Sequence, residues 1–119
     1  MIYTEKMIKI YHNPRCTKSR EGLAILKESG QEFEIREYLK DTPTLNELKE
    51  VINLLKMNPI DLVRKNETIW KESYKGKNLS DEAIIIAMIE NPKLIERPIV
   101  VNNQKAIVGR PPLNIKQII

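Results

Sequence analysis

The sequence predicts an α/β domain in which a β-α-β unit and a β-β-α unit are separated by a helical insert. Short apolar runs near both ends of the chain are typical of strands. Between them, apolar residues recur at helical spacing after N-cap residues. Asn-Pro dipeptides, which favour turns, punctuate these segments at positions 13–14, 58–59 and 91–92.

The β-α-β unit comes first. Residues 7–11, MIKIY, form a short β-like run with alternating apolar positions, which predicts a strand. Good helix formers fill residues 17–29, and Gly30 supplies the stop signal that often follows a helix. Residues 33–35, FEI, predict a second strand. A connection of this length suits a parallel pair of strands.

The helical insert is expected over residues 41–92. Thr44 and Glu47 have the spacing of a capping box, which marks the start of a helix. Ser80 is placed to cap another helix that runs to about Glu90. Shorter helical turns are predicted between these two helices.

The remaining residues predict the β-β-α unit. Apolar runs at 99–101 and 106–108 flank Asn102-Asn103, a hairpin turn candidate, and residues 113–119 predict a short final helix. The whole order, βαβ–ββα with a helical insert, is the layout of a thioredoxin-like (glutaredoxin-like) α/β domain. We therefore expect one domain over residues 1–119, preceded by a short N-terminal extension at residues 1–6.

Composition narrows the functional class. The net charge of +4 comes from basic and acidic residues that are interspersed along the chain, a pattern of solvated surface that predicts no nucleic-acid partner. The longest apolar run, residues 83–89, is much shorter than the roughly 20 residues that span a bilayer, so no membrane association is expected. The start of the chain lacks a secretory pattern, and one cysteine cannot form an internal disulfide. These features favour a cytoplasmic protein.

The stretch HNPRCTKSR at residues 12–20 contains the chain's one histidine and its one cysteine. Cys16 is predicted at the start of the first helix, where the helix dipole and free N–H groups favour a thiolate. Arg15, Lys18 and Arg20 add positive charge close by in sequence, and His12 could add more if it were protonated. A buried, unreactive thiol is the commoner fate of a free cysteine, but this setting favours a reactive one.

The same turn predicts an anion site, because unpaired N–H groups at a helix start bind oxyanions. Two familiar thiol motifs are absent. Gly22 stands where the Cys-x5-Arg loop of tyrosine phosphatases has its arginine, and Ser19 stands where a Cys-x-x-Cys pair has its second cysteine. The sequence therefore predicts one thiol that attacks an oxyanion.

Residues 11–20, YHNPRCTKSR, resemble the active-site loop of the glutaredoxin-linked arsenate reductases, within the arsenate reductase/Spx superfamily. Three further stretches match in order at 62–66 (LVRKN), 97–101 (RPIVV) and 109–111 (GRP). The resemblance extends from Ile8 to about Leu113. It implies a thioredoxin-like fold with a helical insert.

The resemblance also implies roles for residues of the loop. Cys16 matches the cysteine that attacks arsenate, and His12 matches the histidine that tunes this thiol. His12 could instead only hydrogen-bond the loop. Ser19 and Arg20 match a Ser-Arg pair at the substrate, although Ser19 could make only a local hydrogen bond.

An arginine triad that binds the oxyanion is matched by Arg64, Arg97 and Arg110, with Arg64 assigned to catalysis and the other two to substrate binding. Guanidinium groups suit a tetrahedral oxyanion well. Pro98 matches a cis-proline, although most X–Pro bonds are trans.

The function implied is reduction of arsenate to arsenite through a covalent Cys16–arsenic intermediate. Glutathione is expected as co-substrate and glutaredoxin as partner, with no bound cofactor and no metal. Two alternatives stay open: a glutathione-dependent thiol reductase with another substrate, and a non-catalytic Spx-type protein that binds RNA polymerase. Ser19 argues against the Spx group, which usually carries Cys-x-x-Cys.

Overall fold

The computed structural model describes residues 8–119, so the predicted extension and the first residue of the predicted strand, Met7, lie outside the described residues. The described chain divides into two compact units, residues 8–38 with Arg97–Ile119, and Leu39–Glu96. The second unit contains the predicted insert, and its limits are a few residues wider than the expected 41–92.

The first unit is built on a four-stranded sheet. Its strands, in the order β2-β1-β3-β4, are β1 (Ile8–Tyr11), β2 (Phe33–Arg36), β3 (Ile99–Asn102) and β4 (Lys105–Val108). β1 is parallel to β2 and antiparallel to β3, and β3 and β4 form an antiparallel hairpin. The predicted α/β fold with its βαβ and ββ units is therefore confirmed.

Helix α1 (Thr17–Glu28) joins β1 to β2, and a 3-10 helix (Pro112–Gln117) follows β4 and packs against α1. The final helix was expected at 113–119, but it begins earlier and has the tighter 3-10 geometry. Short runs of this geometry are common as connecting or terminal turns. The core of the unit joins both helices to the sheet and contains Ile8, Ile10, Leu26, Val100 and Ile115.

The hairpin turn lies one residue later than expected. Asn102 belongs to β3 and pairs with Lys105, so the turn consists of Asn103 and Gln104. Asn103 has a φ of 58°, in the left-handed region that asparagine tolerates better than most residues. The prediction of Asn102 as a turn residue was therefore wrong by one position.

The second unit is helical. It contains α2 (Leu45–Leu55), α3 (Thr68–Ser73), α4 (Asp81–Glu90) and two short 3-10 helices, Pro59–Leu62 and Pro92–Leu94. The predicted capping box is confirmed, because Thr44 Oγ1 accepts from Glu47 N–H at 3.1 Å and Glu47 Oε1 accepts from Thr44 N–H at 2.9 Å. Ser80 caps α4 by accepting from Ala83 N–H. Over residues 8–119, no helix combines the length and the apolar character that a bilayer crossing would need.

Candidate active site

Cys16 is the N-cap residue of α1, directly after the loop that follows β1. Its backbone is extended, with φ −95° and ψ 124°, as N-cap residues usually are. Its N–H donates to Asn13 O at 3.0 Å, and its carbonyl accepts from Arg20 N–H at 2.9 Å. The residue is only 8% exposed. The sulfur therefore lies, almost covered, at the positive end of the helix.

The pKa of the Cys16 thiol is lowered from its ordinary value. Burial acts in the opposite direction and raises it, but several hydrogen bonds together outweigh this effect. The backbone N–H of Ser19 lowers the pKa, the guanidinium of Arg97 lowers it by hydrogen bonding and by its charge, and Lys18 contributes through its backbone N–H. The site thus favours a thiolate, the reactive form of cysteine.

His12 and Ser19 form a buried hydrogen-bonded pair beneath the loop. His12 Nδ1 and Ser19 Oγ are 2.7 Å apart, and Ser19 Oγ also accepts from the backbone N–H of Asn13 at 2.9 Å. His12 is 5% exposed and Ser19 is fully buried. Ser19 therefore links the first turn of α1 to the start of the loop. This link holds the N-terminal end of the helix, where Cys16 lies.

The pKa of His12 is lowered. Burial is the main cause, and the charges of Lys27 and Arg20 act in the same direction, while Glu37 and the contact with Ser19 oppose it. His12 is accordingly neutral near neutral pH and does not add the positive charge considered from the sequence. Its observed contact is with Ser19, and the thiol-tuning role expected from the resemblance stays a prediction.

Two of the predicted arginines lie with Cys16 in the first unit. Arg110 Nη2 is 3.9 Å from Cys16 Sγ, a weak charge-assisted contact, and Arg110 Nε donates to Arg97 O at 2.9 Å. The guanidinium of Arg97 also interacts with the thiol and lowers its pKa. The structure thus brings Cys16, Arg97 and Arg110 together.

The segments that present these arginines are themselves joined. The Arg97–Pro98 peptide bond is cis, the geometry that the resemblance implied, and the Arg110–Pro111 bond is cis as well. Gly109 N–H donates to Pro98 O at 2.8 Å. The residues that precede β3 and follow β4 are therefore held side by side.

Arg97 has one unused donor. Its Nε is buried and meets no hydrogen-bond partner anywhere in residues 8–119. Buried donors are nearly always paired, so this N–H calls for a physical explanation. It belongs to the guanidinium that interacts with Cys16, and a bound oxyanion is the kind of group that it could pair with.

The side chains of the basic residues close to Cys16 in sequence lower the thiol pKa less than expected. Arg20 donates from Nη1 to Pro14 O at 3.0 Å and from Nη2 to Thr17 Oγ1 at 3.3 Å. Its side chain therefore hydrogen-bonds the loop before α1. The Lys18 ammonium lies 3.9 Å from Glu21 on the exposed face of α1. Arg15 is exposed. The side-chain cation that lowers the thiol pKa is Arg97, which is distant in sequence.

Arg64 belongs to the second unit, where its side chain is held by acidic residues. Nη1 donates to Glu67 Oε2 at 3.0 Å, and Nε is 3.9 Å from Glu96 Oε1. The side chain is 24% exposed. Glu67, three residues after Arg64, could have been recognised as a partner from the sequence, whereas Glu96 is too distant. The catalytic role expected of Arg64 stays a prediction.

Asn13 is a loop residue whose importance the sequence reasoning missed. Besides accepting from Cys16 N–H and donating to Ser19, it accepts from Arg15 N–H through Oδ1 at 3.0 Å. Side-chain bonding two residues ahead is the Asx-turn habit of asparagine. From the sequence, Asn13-Pro14 predicts only a turn after the first strand, although this habit was the available signal for the further contacts.

The arrangement has the parts needed for nucleophilic attack on an oxyanion. A thiol with a lowered pKa lies at a helix N-terminus beside two guanidinium groups, and these donors suit a tetrahedral anion. In the part of the chain that the structure describes, no three His, Cys, Asp or Glu side chains are grouped so as to hold a metal ion.

Comparisons with known proteins find similar sequences and a similar fold. The model of the ArsC family matches residues 11–118. An uncharacterized Escherichia coli (strain K12) protein, YfgD, is 48% identical over 116 residues, which cover 96% of this chain and 98% of YfgD. An arsenate reductase of Neisseria meningitidis serogroup A is 42% identical over 114 residues, covering 94% and 97% of the two chains. A solved arsenate reductase from Vibrio cholerae superposes with a TM-score of 0.90 at 45% identity, covering 94% of this chain and 97% of that one.

Proposed function

Since this chain belongs to the ArsC family, we propose that it is an arsenate reductase in which Cys16 is the nucleophile and glutathione and glutaredoxin supply the electrons. Proteins named arsenate reductase match nearly the full length of this chain. The matched region includes every residue of the site around Cys16.

One observation carries the proposal: the sulfur of Cys16 is flanked by Arg97 and Arg110 at the start of α1. A thiolate and an anionic substrate repel each other, so their approach requires positive groups that contact both. The two guanidinium groups and the helix N-terminus supply this charge. The unused Nε donor of Arg97 supports a further hydrogen bond to an arsenate oxygen.

The chemistry follows from the single thiol. In the first step Cys16 thiolate attacks arsenate and a sulfur–arsenic bond forms. One arsenic–oxygen bond breaks, and the hydroxyl group of arsenate takes a proton from solvent and leaves as water. Arsenic(V) then accepts two electrons. Two external thiols provide them and are joined as one disulfide, while the sulfur–arsenic bond breaks and arsenite leaves. Cys16 returns to the thiolate form.

External thiols are required because the sequence contains no second cysteine that could resolve the adduct. We assign the first to glutathione and the second to glutaredoxin, as the resemblance implies, and a reducing cytoplasm would maintain both. No bound cofactor is part of this scheme. The resemblance assigns Arg64 to stabilising the charge that develops during the reaction. It assigns His12 to tuning the Cys16 thiol.

A donor-resolved assay tests the proposal. Arsenate is supplied with glutathione and glutaredoxin together, with either one alone, and with a thioredoxin system. Thiol oxidation is measured as the NADPH consumed when the oxidised thiols are reduced again. Turnover is expected only when glutathione and glutaredoxin are both present. Turnover with a model disulfide but not with arsenate would favour a thiol reductase with another substrate. Inactivity with both, together with capture of RNA polymerase, would favour the Spx-type alternative.

A further inference from the structure

Ile115, in the 3-10 helix that follows Arg110, is fully buried and touches Gly22 of α1 and Gly109, the residue after β4. A Cβ atom added at Gly22 of α1 would lie 2.9 Å from Ile115 Cδ1 and 3.0 Å from Pro98 Cγ. A Cβ added at Gly109 would lie 2.9 Å from each of the same two atoms. Ile115 and Pro98 therefore fill the space that both glycines leave open.

Ile115, Pro98, Gly22 and Gly109 pack together where α1 meets the segments that carry Arg97 and Arg110. Gly22 belongs to α1, whose first-turn N–H groups stabilise the Cys16 thiolate. Pro98 directly follows Arg97, and Gly109 directly precedes Arg110. These are the two arginines beside the sulfur. The δ-methyl group of Ile115 and the ring of Pro98 thus lie together where the arginine-bearing segments meet the helix.

A second set of contacts limits how far these segments can move independently. Gly109 N–H donates to Pro98 O, Arg110 Nε donates to Arg97 O, and Asn114 Nδ2, next to Ile115, donates to Arg110 O at 3.2 Å. A displacement at Ile115 therefore passes to both arginines together. Close-packed interiors transmit such displacements because they have little free volume to absorb them.

We propose that Ile115 is a positioning residue of the Cys16 site, whose δ-methyl group, packed against Gly22, Pro98 and Gly109, fixes the distance from Arg97 and Arg110 to the thiolate. The part of this proposal that concerns arsenate rests on the proposed function. The part that concerns the thiol does not, because the interaction of Arg97 with Cys16 exists without substrate.

Three variants separate positioning from simple packing. Ile115→Val removes the δ-methyl group and loosens the contact. Gly22→Ala adds a methyl group that must push Ile115 or Pro98 away. The double variant Gly22→Ala/Ile115→Val adds one methyl group where another is removed, so it should restore the spacing in part. Ile8→Val is the matched control, because Ile8 belongs to the same core at the end of β1 remote from the loop.

The thiol pKa of each variant is measured from thiolate absorbance as a function of pH, and arsenate binding from protection of Cys16 against iodoacetamide without any glutathione. In Ile115→Val and Gly22→Ala we expect a raised thiol pKa and arsenate protection weakened roughly threefold to tenfold, a fraction of the hundredfold that a misplacement of about 1 Å costs. In Ile8→Val both should equal the wild-type values despite a similar loss of thermal stability. The double variant should lie closer to wild type than Gly22→Ala does.

A thiol pKa that is unchanged in Ile115→Val and Gly22→Ala, or changed equally in Ile8→Val, would overturn the proposal. Additive effects in the double variant would overturn it as well. If arsenate failed to protect even the wild-type thiol, the proposed function would lose its support, and the thiol pKa values would still decide whether Ile115 positions the site.

Discussion

Replacement of Ser19 by alanine should destabilise the protein far more than an ordinary surface Ser→Ala change. Ser19 Oγ pairs with His12 Nδ1 at 2.7 Å and accepts from Asn13 N–H at 2.9 Å, and the residue is fully buried. Alanine would leave both partners without this oxygen. Removing one member of a buried hydrogen bond costs about 1–3 kcal/mol for each group left unsatisfied, so we expect a loss of roughly 2–6 kcal/mol for the two groups together.

Ser29→Ala is the matched control. Ser29 Oγ also makes two hydrogen bonds, donating to Leu26 O at 2.6 Å and accepting from Gln31 N–H at 3.2 Å, but it lies at the partly exposed end of α1. Water can replace these bonds, so its loss should cost about 0.5–1.5 kcal/mol. Both values are obtained from urea denaturation followed by circular dichroism, with the slope of the transition compared between variants.

A double-mutant cycle of His12→Ala and Ser19→Ala isolates the contact between the two side chains. We expect a coupling energy of about 1 kcal/mol or more. A Ser19→Ala loss no larger than that of Ser29→Ala, or a coupling energy near zero, would refute the reasoning. The loop that carries Cys16 would then be held by something other than this network.

Two further predictions concern titration. Arg97→Ala should raise the pKa of the Cys16 thiol, because it removes a hydrogen bond and a positive charge from the thiolate. The rate of iodoacetamide alkylation near neutral pH should therefore fall, whereas Lys18→Ala, which keeps its backbone N–H and loses only an exposed ammonium near Glu21, should change the rate little. His12 has a folded-state pKa below its ordinary 6.5, so its contribution to stability is present above 6.5 and is lost as the pH falls through the folded-state value. His12→Gln should flatten the acid side of the stability profile in urea titrations, and an unchanged profile would contradict the burial argument.

Local patterns predicted the fold well, since each element carries its own signal. The capping box at Thr44, the alternation in β1 and the Asn-Pro breaks were sufficient for the order of elements. The hairpin turn was misplaced by one residue because Asn102-Asn103 is an acceptable turn pair by residue type. The cross-strand pairing of Asn102 with Lys105 moves the turn to Asn103 and Gln104.

The site was only partly predictable. Cys16 at a helix start follows from local sequence. Of the basic residues near it in sequence, however, Arg15 is exposed and the Lys18 ammonium lies by Glu21. Arg97 and Arg110 were identified by resemblance alone, because no local pattern predicts that segments so distant in sequence converge on one sulfur. Packing at Ile115 was invisible for the same reason.

The most direct test of the central claim, that Cys16 is the nucleophile of arsenate reduction, is the amount of arsenite formed from arsenate by wild type and by Cys16→Ser. Both are incubated with glutathione and glutaredoxin, and arsenic species are separated and quantified. Circular dichroism confirms that the variant is folded. We predict that wild type forms arsenite over many turnovers, with one disulfide for each arsenite, and that Cys16→Ser forms none above the protein-free reaction. Arsenite formation by Cys16→Ser at the wild-type rate, or no formation by folded wild type, would contradict the account.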